Sequence, residues 1–359
     1  MKVLLCSPLC GIRGGIARWT EHILNACAND SAIQINVLDM GRSDNVGFDS
    51  SLHSRAISGI RHYTGIIKEY RNKIKQGDYD IAHICSSASI GLFRDLIMIK
   101  AAQKRGIKTV IHFHFGRIPD LAKRNNWEWM LIRKVVRLAD RAIVLDKMSL
   151  DTLKAHGFEN VEELPNPLAP SVNAALPKDN LQKDESLILY AGHVLESKGI
   201  VELVEAVKQL NGFRLRLLGS ITPEFKARLL SISNNEPWLE IAGEKPYDEV
   251  LPEMARCGIF ALPSYSEGFP NVILESMAAG CAIVSSNVGA IPEMLEPDSN
   301  GQYAILVGPR DSYSLKTALE QMAQSETLKA ECRRNVKCRV NERYGIDSVK
   351  NQLIDIWKK

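Results

Sequence analysis

Glu267 and Glu275, with seven residues between them, lie in the run Ser264-Tyr-Ser-Glu267-Gly268-Phe269-Pro270-Asn271-Val272-Ile-Leu-Glu275-Ser-Met-Ala-Ala-Gly280-Cys281. Pro270 suits the first turn of a helix, where its missing N–H is not needed, and Gly280 suits the residue just past the end. The spacing therefore predicts a short helix from about Pro270 to Ala279. The amides of Phe269, Asn271 and Val272 would then be unpaired donors at the positive end of the helix dipole, a ready site for a diphosphate. Glu275 falls a turn and a half further in, about 7 Å along the axis, within reach of a ribose beside that diphosphate. Glu267 precedes the helix, where a sugar attached to the diphosphate would lie. The competing reading is a helix-start charge and a solvated helix residue. Against it, Glu275 stands in Val-Ile-Leu-Glu-Ser-Met-Ala-Ala, where an unpaired carboxylate is costly unless something polar meets it.

The elements that must position these groups follow from length and pattern. A chain of 359 residues exceeds one small core and suits two domains of about 150–180 residues. Hydrophobic residues at 45% and charged residues at 24% are ordinary for a soluble globular protein. No apolar run is long enough to span a bilayer. The opening Met1-Lys2-Val-Leu-Leu-Cys6 is too short for a signal peptide and is broken by Pro8, Gly11 and Arg13, so it reads as a first strand. The eight cysteines form no C-x-x-C pair and no His-Cys metal spacing. They fit scattered thiols in a reducing cytoplasm, which is the expected location.

Short apolar or β-branched runs at Lys2–Cys6, Ile35–Leu38, Ile81–Ile84, Thr109–His112 and Arg141–Leu145 read as strands. Helical patterns at Ile16–Ala28, Ile57–Lys75, Phe93–Lys104 and Glu128–Leu138 lie between them. A second series of strands follows at Leu187–Ala191, Arg214–Leu218, Leu239–Ala242, Ile259–Leu262, Ala282–Ser285 and Ala304–Val307. Such alternation means an α/β protein of two doubly wound parallel sheets wrapped by helices. The proline-rich, polar segment 165–185 reads as a linker, and Asp347–Trp357 as one more helix.

The net charge of +3 hides an asymmetry. Residues 51–150 carry 19 Lys and Arg against 8 Asp and Glu, whereas the rest of the chain carries 26 against 34. Part of the surplus falls on Arg117, Lys123, Arg124, Arg133, Lys134, Arg137 and Arg141, with Trp127 and Trp129 among them. Basic and aromatic residues on one segment suit the surface of an anionic membrane; a solvated helix face with core tryptophans is the alternative. No nucleic-acid-binding module accompanies the charge.

Pro263-Ser264, the Glu267-Gly268-Phe269-Pro270 run, Glu275 and Gly280 resemble the signature of glycosyltransferase family 4, retaining enzymes whose two Rossmann-like domains form the GT-B fold. The resemblance covers nearly the whole chain and implies an N-terminal acceptor domain over 1–170, completed by a C-terminal helix 345–359 that crosses back to it. Residues 171–344 would then bind the nucleoside diphosphate sugar. At Tyr190-Ala-Gly192-His193-Val-Leu-Glu-Ser-Lys198-Gly199, a strand ends in a glycine turn that opens a helix, and the family has an arginine and a lysine here that neutralise the donor diphosphate. Lys198 matches the lysine; His193 replaces the arginine. His114, in His112-Phe-His114-Phe-Gly116, resembles the family histidine that faces the donor sugar. Gly11-Ile-Arg-Gly14-Gly15 resembles the family's first glycine loop, which brings Gly15 into the donor site. Asp39 supports a rival nicotinamide dinucleotide fold, but the spacing is not G-x-G-x-x-G and that fold leaves Glu267 unexplained. Asp78-Tyr-Asp80 invites comparison with a metal-binding D-x-D and is read as structural. Asn166 and Gly289-Ala-Ile-Pro292-Glu293 match loop-shaping residues of the family.

The resemblance implies transfer of a sugar to a hydroxyl acceptor with retention, in surface polysaccharide or glycolipid biosynthesis, on a glycan or a lipid-linked acceptor at the inner face of the membrane. Glu267 and His114 are the catalytic candidates. Gly15, His193, Lys198, Gly268, Phe269, Asn271, Val272 and Glu275 are the donor-binding ones, with no metal or other cofactor required. Glu267 is read as positioning donor-sugar hydroxyls rather than attacking the anomeric carbon, and direct and covalent routes to retention both stay open. A nucleotide-sugar epimerase of the same fold and a non-catalytic nucleotide-sugar binder are the alternatives.

Overall fold

The computed structural model describes residues 1–9, 15–41, 52–177, 182–295, 297 and 301–359. They form two compact units, Met1–Pro167 with Ile346–Lys359, and Leu168–Gly345.

The first unit alternates β1 (Lys2–Ser7), α1 (Gly15–Cys27), β2 (Gln34–Asp39), α2 (Leu52–Gln76), β3 (Ile81–Ser86), α3 (Gly91–Gln103) and β4 (Lys108–Phe113). It continues through α4 (Ile118–Arg124), α5 (Trp127–Leu138), β5 (Arg141–Val144), α6 (Lys147–Ala155) and β6 (Val161–Glu163). The strands pair in parallel in the order β2-β1-β3-β4-β5-β6. Every residue of β3 is buried, as expected of a parallel strand covered on both faces.

In the second unit, α7 (Pro170–Ala175), β7 (Asp184–Ala191), α8 (Ile200–Lys208), β8 (Arg214–Leu218), α9 (Pro223–Ile232), β9 (Leu239–Gly243) and α10 (Tyr247–Arg256) come first. Then follow β10 (Cys257–Leu262), α11 (Asn271–Ala278), β11 (Ala282–Ser286), α12 (Ile291–Leu295), β12 (Ala304–Val307), α13 (Ser312–Gln324) and α14 (Glu326–Tyr344). Its sheet runs β12-β11-β10-β7-β8-β9, again all parallel. The strand order reverses between β1 and β3 in one sheet and between β7 and β10 in the other. Doubly wound sheets bind ligands just beyond the carboxyl ends of the strands at such a reversal.

Residues 346–358 form α15 (Ile346–Lys358), which belongs to the first unit. Its Val349, Leu353, Ile354 and Trp357 share a core with Val3, Leu5, Trp19 and Ile23 of β1 and α1. The Trp357 indole N–H also donates to Nδ1 of buried His83, at 3.0 Å. Among the described residues no helix is long and apolar enough to cross a membrane.

Three local expectations change. Segment 165–185 holds a helix, because Pro170 begins α7 as its first helical residue, where a proline is favourable. The edge strand β6 and the helix α4 escape the sequence reading; both are too short for a periodic signal. Pro270 caps α11 rather than entering it: its φ of −76° and ψ of 108° are extended, and the helix starts at Asn271.

Candidate functional site

In the second unit the loops after β7 and β10, the two strands at the reversal, meet. The β7 strand ends at Ala191, and a single 3₁₀ turn over Glu196–Lys198 leads to Gly199. Gly199 has φ +69°, and a Cβ there would lie 2.1 Å from the carbonyl oxygen of Pro263 after β10. Only glycine permits that approach. The Tyr265 amide then donates to the Ser197 carbonyl at 3.0 Å, joining the two loops. This places Lys198 Nζ 2.6 Å from Glu267 Oε1, and the buried Ser264 hydroxyl donates to the same oxygen at 2.6 Å. Ser264 is held in turn by Ser286 of β11, whose hydroxyl donates to its carbonyl at 2.6 Å. With side-chain exposures of 26% for Lys198 and 12% for Glu267, this is a sheltered ion pair. Its Oε1 is doubly engaged, while Oε2 has no hydrogen-bond partner among the described residues.

A third loop closes on the same point. Gly289, at φ +57°, brings its Cα so near Glu267 that a Cβ would lie 2.2 Å from the Glu267 carbonyl oxygen. The Ala290 amide donates to the Gly268 carbonyl at 2.9 Å. Gly289 and Gly268 therefore fix the backbone on either side of Glu267. The Phe269 side chain is buried against Tyr344, ring centroids 5.7 Å apart, so Phe269 anchors the loop and can serve a ligand only through its backbone. Within α11 the first helical bond runs from the Ile273 amide to Pro270 O at 3.0 Å, so the Asn271 and Val272 amides lie ahead of it at the dipole's positive end. Glu275, half-buried one turn on, receives the Tyr247 hydroxyl of α10 at 3.0 Å, the polar group its apolar surroundings demand.

His193 is exposed, and its ring Nδ1 lies 2.8 Å from the Ser220 hydroxyl beyond β8. Its carbonyl accepts from the buried Tyr190 hydroxyl at 2.8 Å. Burial, reinforced by the Glu267 charge, raises the Tyr190 phenol, so it stays a donor. Thus Lys198, Glu267 and Ser264 meet directly, while Gly268 is bonded to Ala290, His193 is tied to a neighbouring loop and Glu275 to α10. Sequence reading gave no role to Ser264, Tyr247, Ser220 or Tyr190. A serine three residues before Glu267 was visible; Tyr247, 28 residues from Glu275, left no signal.

In the first unit Gly15 opens α1, and Gly11 to Gly14 lie outside the described residues. Asp39 accepts from the Leu9 and Gly41 amides, each at 2.8 Å, so it shapes the loops beyond β1 and β2. Asp80 accepts the Lys2 amide at 2.7 Å and starts the sheet rather than a metal site. His114 stands just beyond β4, its amide bonded to Ser86 O at 3.0 Å. Its ring lies tilted against His112, centroids 3.8 Å apart, and edge-on to Trp19 at 5.0 Å. Burial, then the neighbouring His83, push His114 down to about 3, so it is neutral, and its Nε2 has no partner among the described residues.

His83, Cys85 and His112 bring potential metal-ligand atoms within 4.8 Å of one another. The Trp357 hydrogen bond occupies the Nδ1 lone pair of His83, which leaves the proton of the neutral ring on Nε2 and no lone pair for a cation. Burial also drives His83 down to about 3 and the Cys85 thiol up to about 12. The cluster is a packed, neutral one.

The segment 117–141 divides. Trp129 is buried in the core beside His156, and Arg117 is paired with Glu128 at 2.6 Å. Trp127 is 52% exposed; Asn126 caps α5 by accepting the Trp129 amide at 3.0 Å.

Residues 185–325 match a family model described as glycosyl transferases group 1, and residues 13–171 match one described as glycosyltransferase family 4. An uncharacterized glycosyltransferase of Methanocaldococcus jannaschii, MJ1178, is 25% identical over 334 residues, covering 92% of this chain and 90% of that protein. Sucrose-phosphate synthase from Thermosynechococcus elongatus superposes with a TM-score of 0.78 at 17% identity, over 99% of this chain and 98% of that one. Anabaena HepE, solved in complex with UDP, gives 0.71 at 16% identity over the whole of both chains.

Proposed function

This chain belongs to the group 1 glycosyltransferases and has the GT-B fold, and from that membership we propose that it moves a hexose from a nucleoside diphosphate sugar to a hydroxyl acceptor with retention at the anomeric carbon. The observation that carries this reading is the meeting of Lys198, Glu267 and Ser264 just ahead of α11, at the strand-order reversal of the second unit. Departure of a nucleoside diphosphate builds negative charge on the leaving oxygen. A fixed ammonium and helix-terminal amides stabilise such charge where it forms. Lys198 supplies the ammonium and residues 269–272 the backbone. Glu267, held by Oε1, presents Oε2 to donor-sugar hydroxyls as a positioning group. Glu275, oriented by Tyr247, accepts from the ribose, and His193 adds a donor contact in the second unit. In the first unit, neutral His114 is the group proposed to contact a sugar and Gly15 the backbone proposed to contact the donor, and the chemistry needs no metal. The acceptor is a glycan or a lipid-linked sugar, reached at the inner face of the cell membrane, in surface polysaccharide or glycolipid assembly. UDP bound to the structurally similar HepE supports a nucleotide-sugar donor.

The test is a thermal-shift screen against nucleoside diphosphate sugars, since a ligand of the folded state raises stability by mass action. The stabilising donor is then supplied in labelled form with candidate acceptors, and the anomeric configuration of the product is read by NMR. Retained configuration and full activity in EDTA are expected. Epimerised donor, binding without turnover, or activity restored only by Mn²⁺ or Mg²⁺ would overturn the proposal.

A further inference from the structure

Two neighbouring helices of the first unit repeat one surface pattern. Along α3 and its C-cap residue the outward positions include Phe93, Ile97, Lys100 and Lys104; along α5 they include Trp127, Met130, Lys134 and Arg137. Each series runs apolar then basic at helical spacing. Ile90, just ahead of α3, extends the apolar end, and all five large apolar side chains are more than a third exposed. Soluble surfaces seldom cluster so many without a partner.

Beside this stripe, between α2 and α3, lies an open cavity of about 530 Å³ lined by Arg71 and Lys75 of α2, and by Ile97, Lys100, Lys104 and Arg105. Arg105 is committed to structure, since its guanidinium donates to the carbonyls of Ile74 and Lys75 at 2.9 and 3.4 Å. No carboxylate lines the cavity, and among the described residues Arg71, Lys75, Lys100 and Lys104 make no ion pair. Like charges this close repel until an anion joins them. A soluble polyanion would use the cavity but not Phe93, Trp127 and Met130. A bilayer of anionic phospholipid uses both, with phosphates against the cations and the apolar side chains at the head-group boundary.

We propose that the outer face of α2, α3 and α5 docks on an anionic phospholipid bilayer, with lipid phosphates in the cavity of Arg71, Lys75, Lys100 and Lys104 and with Phe93, Trp127 and Met130 entering the membrane surface. The inference rests on the proposed membrane setting for its biological use, while binding itself requires no sugar transfer.

The test is flotation of the full chain with phosphatidylglycerol-containing and pure phosphatidylcholine vesicles over a salt series, alongside transfer to a water-soluble acceptor. The wild type is expected to float with anionic vesicles only and to be released by salt. Each basic residue at such a surface changes partitioning about fivefold, so R71Q/K75Q/K100Q/K104Q should lose nearly three orders of magnitude in binding, about 600-fold. These exposed residues lie outside the proposed donor site, so soluble transfer and the circular dichroism spectrum should hold. Tryptophan emission should shift to the blue with anionic vesicles, and W127S should abolish the shift and weaken flotation. Equal flotation of wild type and the quadruple variant, equal flotation with neutral vesicles, or binding of inorganic polyphosphate without vesicle binding would each overturn the proposal. Failed transfer with intact, charge-dependent flotation would count against the transferase reading and leave the docking surface standing.

Discussion

Replacing Lys198 by methionine removes the ammonium while keeping most of the stem, and leaves Glu267 with only the Ser264 hydroxyl at Oε1. Removing one partner of a fully buried pair costs about 3–5 kcal/mol, because the survivor is stranded. Here 26% of Lys198 and 12% of Glu267 remain exposed, so water relieves part of that penalty, and about 2 kcal/mol is expected. For a unit the size of Leu168–Gly345, that lowers the melting temperature by about 4–8 °C. Activity should fall much further if, as proposed, the same ammonium faces the departing diphosphate: loss of one such donor costs about a hundredfold to a thousandfold in kcat. Calorimetry and initial rates on Lys198→Met, Glu267→Gln and the double variant form a cycle. The double variant should be less destabilised than the sum of the singles, by about 1 kcal/mol. Unchanged melting, additive stability effects, or a kcat loss below tenfold would refute the claim that this pair is both a structural tie and the diphosphate's cation.

Tyr247→Phe should raise the donor KM by about tenfold, the scale of a lost hydrogen bond to a charged group, with little change in kcat; an equal fall in kcat would place Glu275 on the reacting atoms instead. His193→Arg should tighten donor binding measured by calorimetry, since a guanidinium is a fixed cation whose forked donors match a diphosphate; unchanged affinity means His193 points away from the donor. Acid should weaken the first unit selectively. His83 and His114 are lowered to about 3 by burial, and His112 lies well below its usual range for the same reason. An unfolded chain therefore binds protons that the folded one refuses, and stability present above about pH 6.5 is lost as pH falls toward 3, by up to about 1.4 kcal/mol per pH unit for each ring. Thermal scans from pH 7 to pH 4 should show Trp19 and Trp357 fluorescence responding first, and His83→Gln should reduce the slope; pH-independent melting of the first unit would refute it.

The fold was legible wherever burial imposes a pattern. The buried strands around Ala82, Phe260 and Ile283 are near-continuous apolar runs in the sequence because both of their faces are covered. Short elements carried no such signal: β6 spans three residues and α4 seven. The site was legible where its groups are close in sequence, as with Glu267, Gly268 and Glu275. It was opaque where distant loops supply the partners. Lys198 and Glu267 are 69 residues apart, and nothing local tells that Gly199 and Pro263 interlock to join them. Trp127 and Trp129 look equivalent in sequence, yet the turn of α5 sends one outward and the other into the core.

The place of α15 has a consequence for biosynthesis. The first unit needs residues 346–359 to close its core over β1 and α1, but the ribosome must first make all 178 residues of Leu168–Gly345. At about 5–20 residues per second that interval is roughly 10–35 s. During it, the apolar face holding Val3, Leu5 and Val110 waits without its lid, and the indole that satisfies His83 does not yet exist. The second unit can fold as soon as it emerges, so the order of completion inverts the order of synthesis. The nascent first unit, with that sheet face covered by α1 alone until α15 arrives, is the stage at which transiently exposed apolar surface favours aggregation.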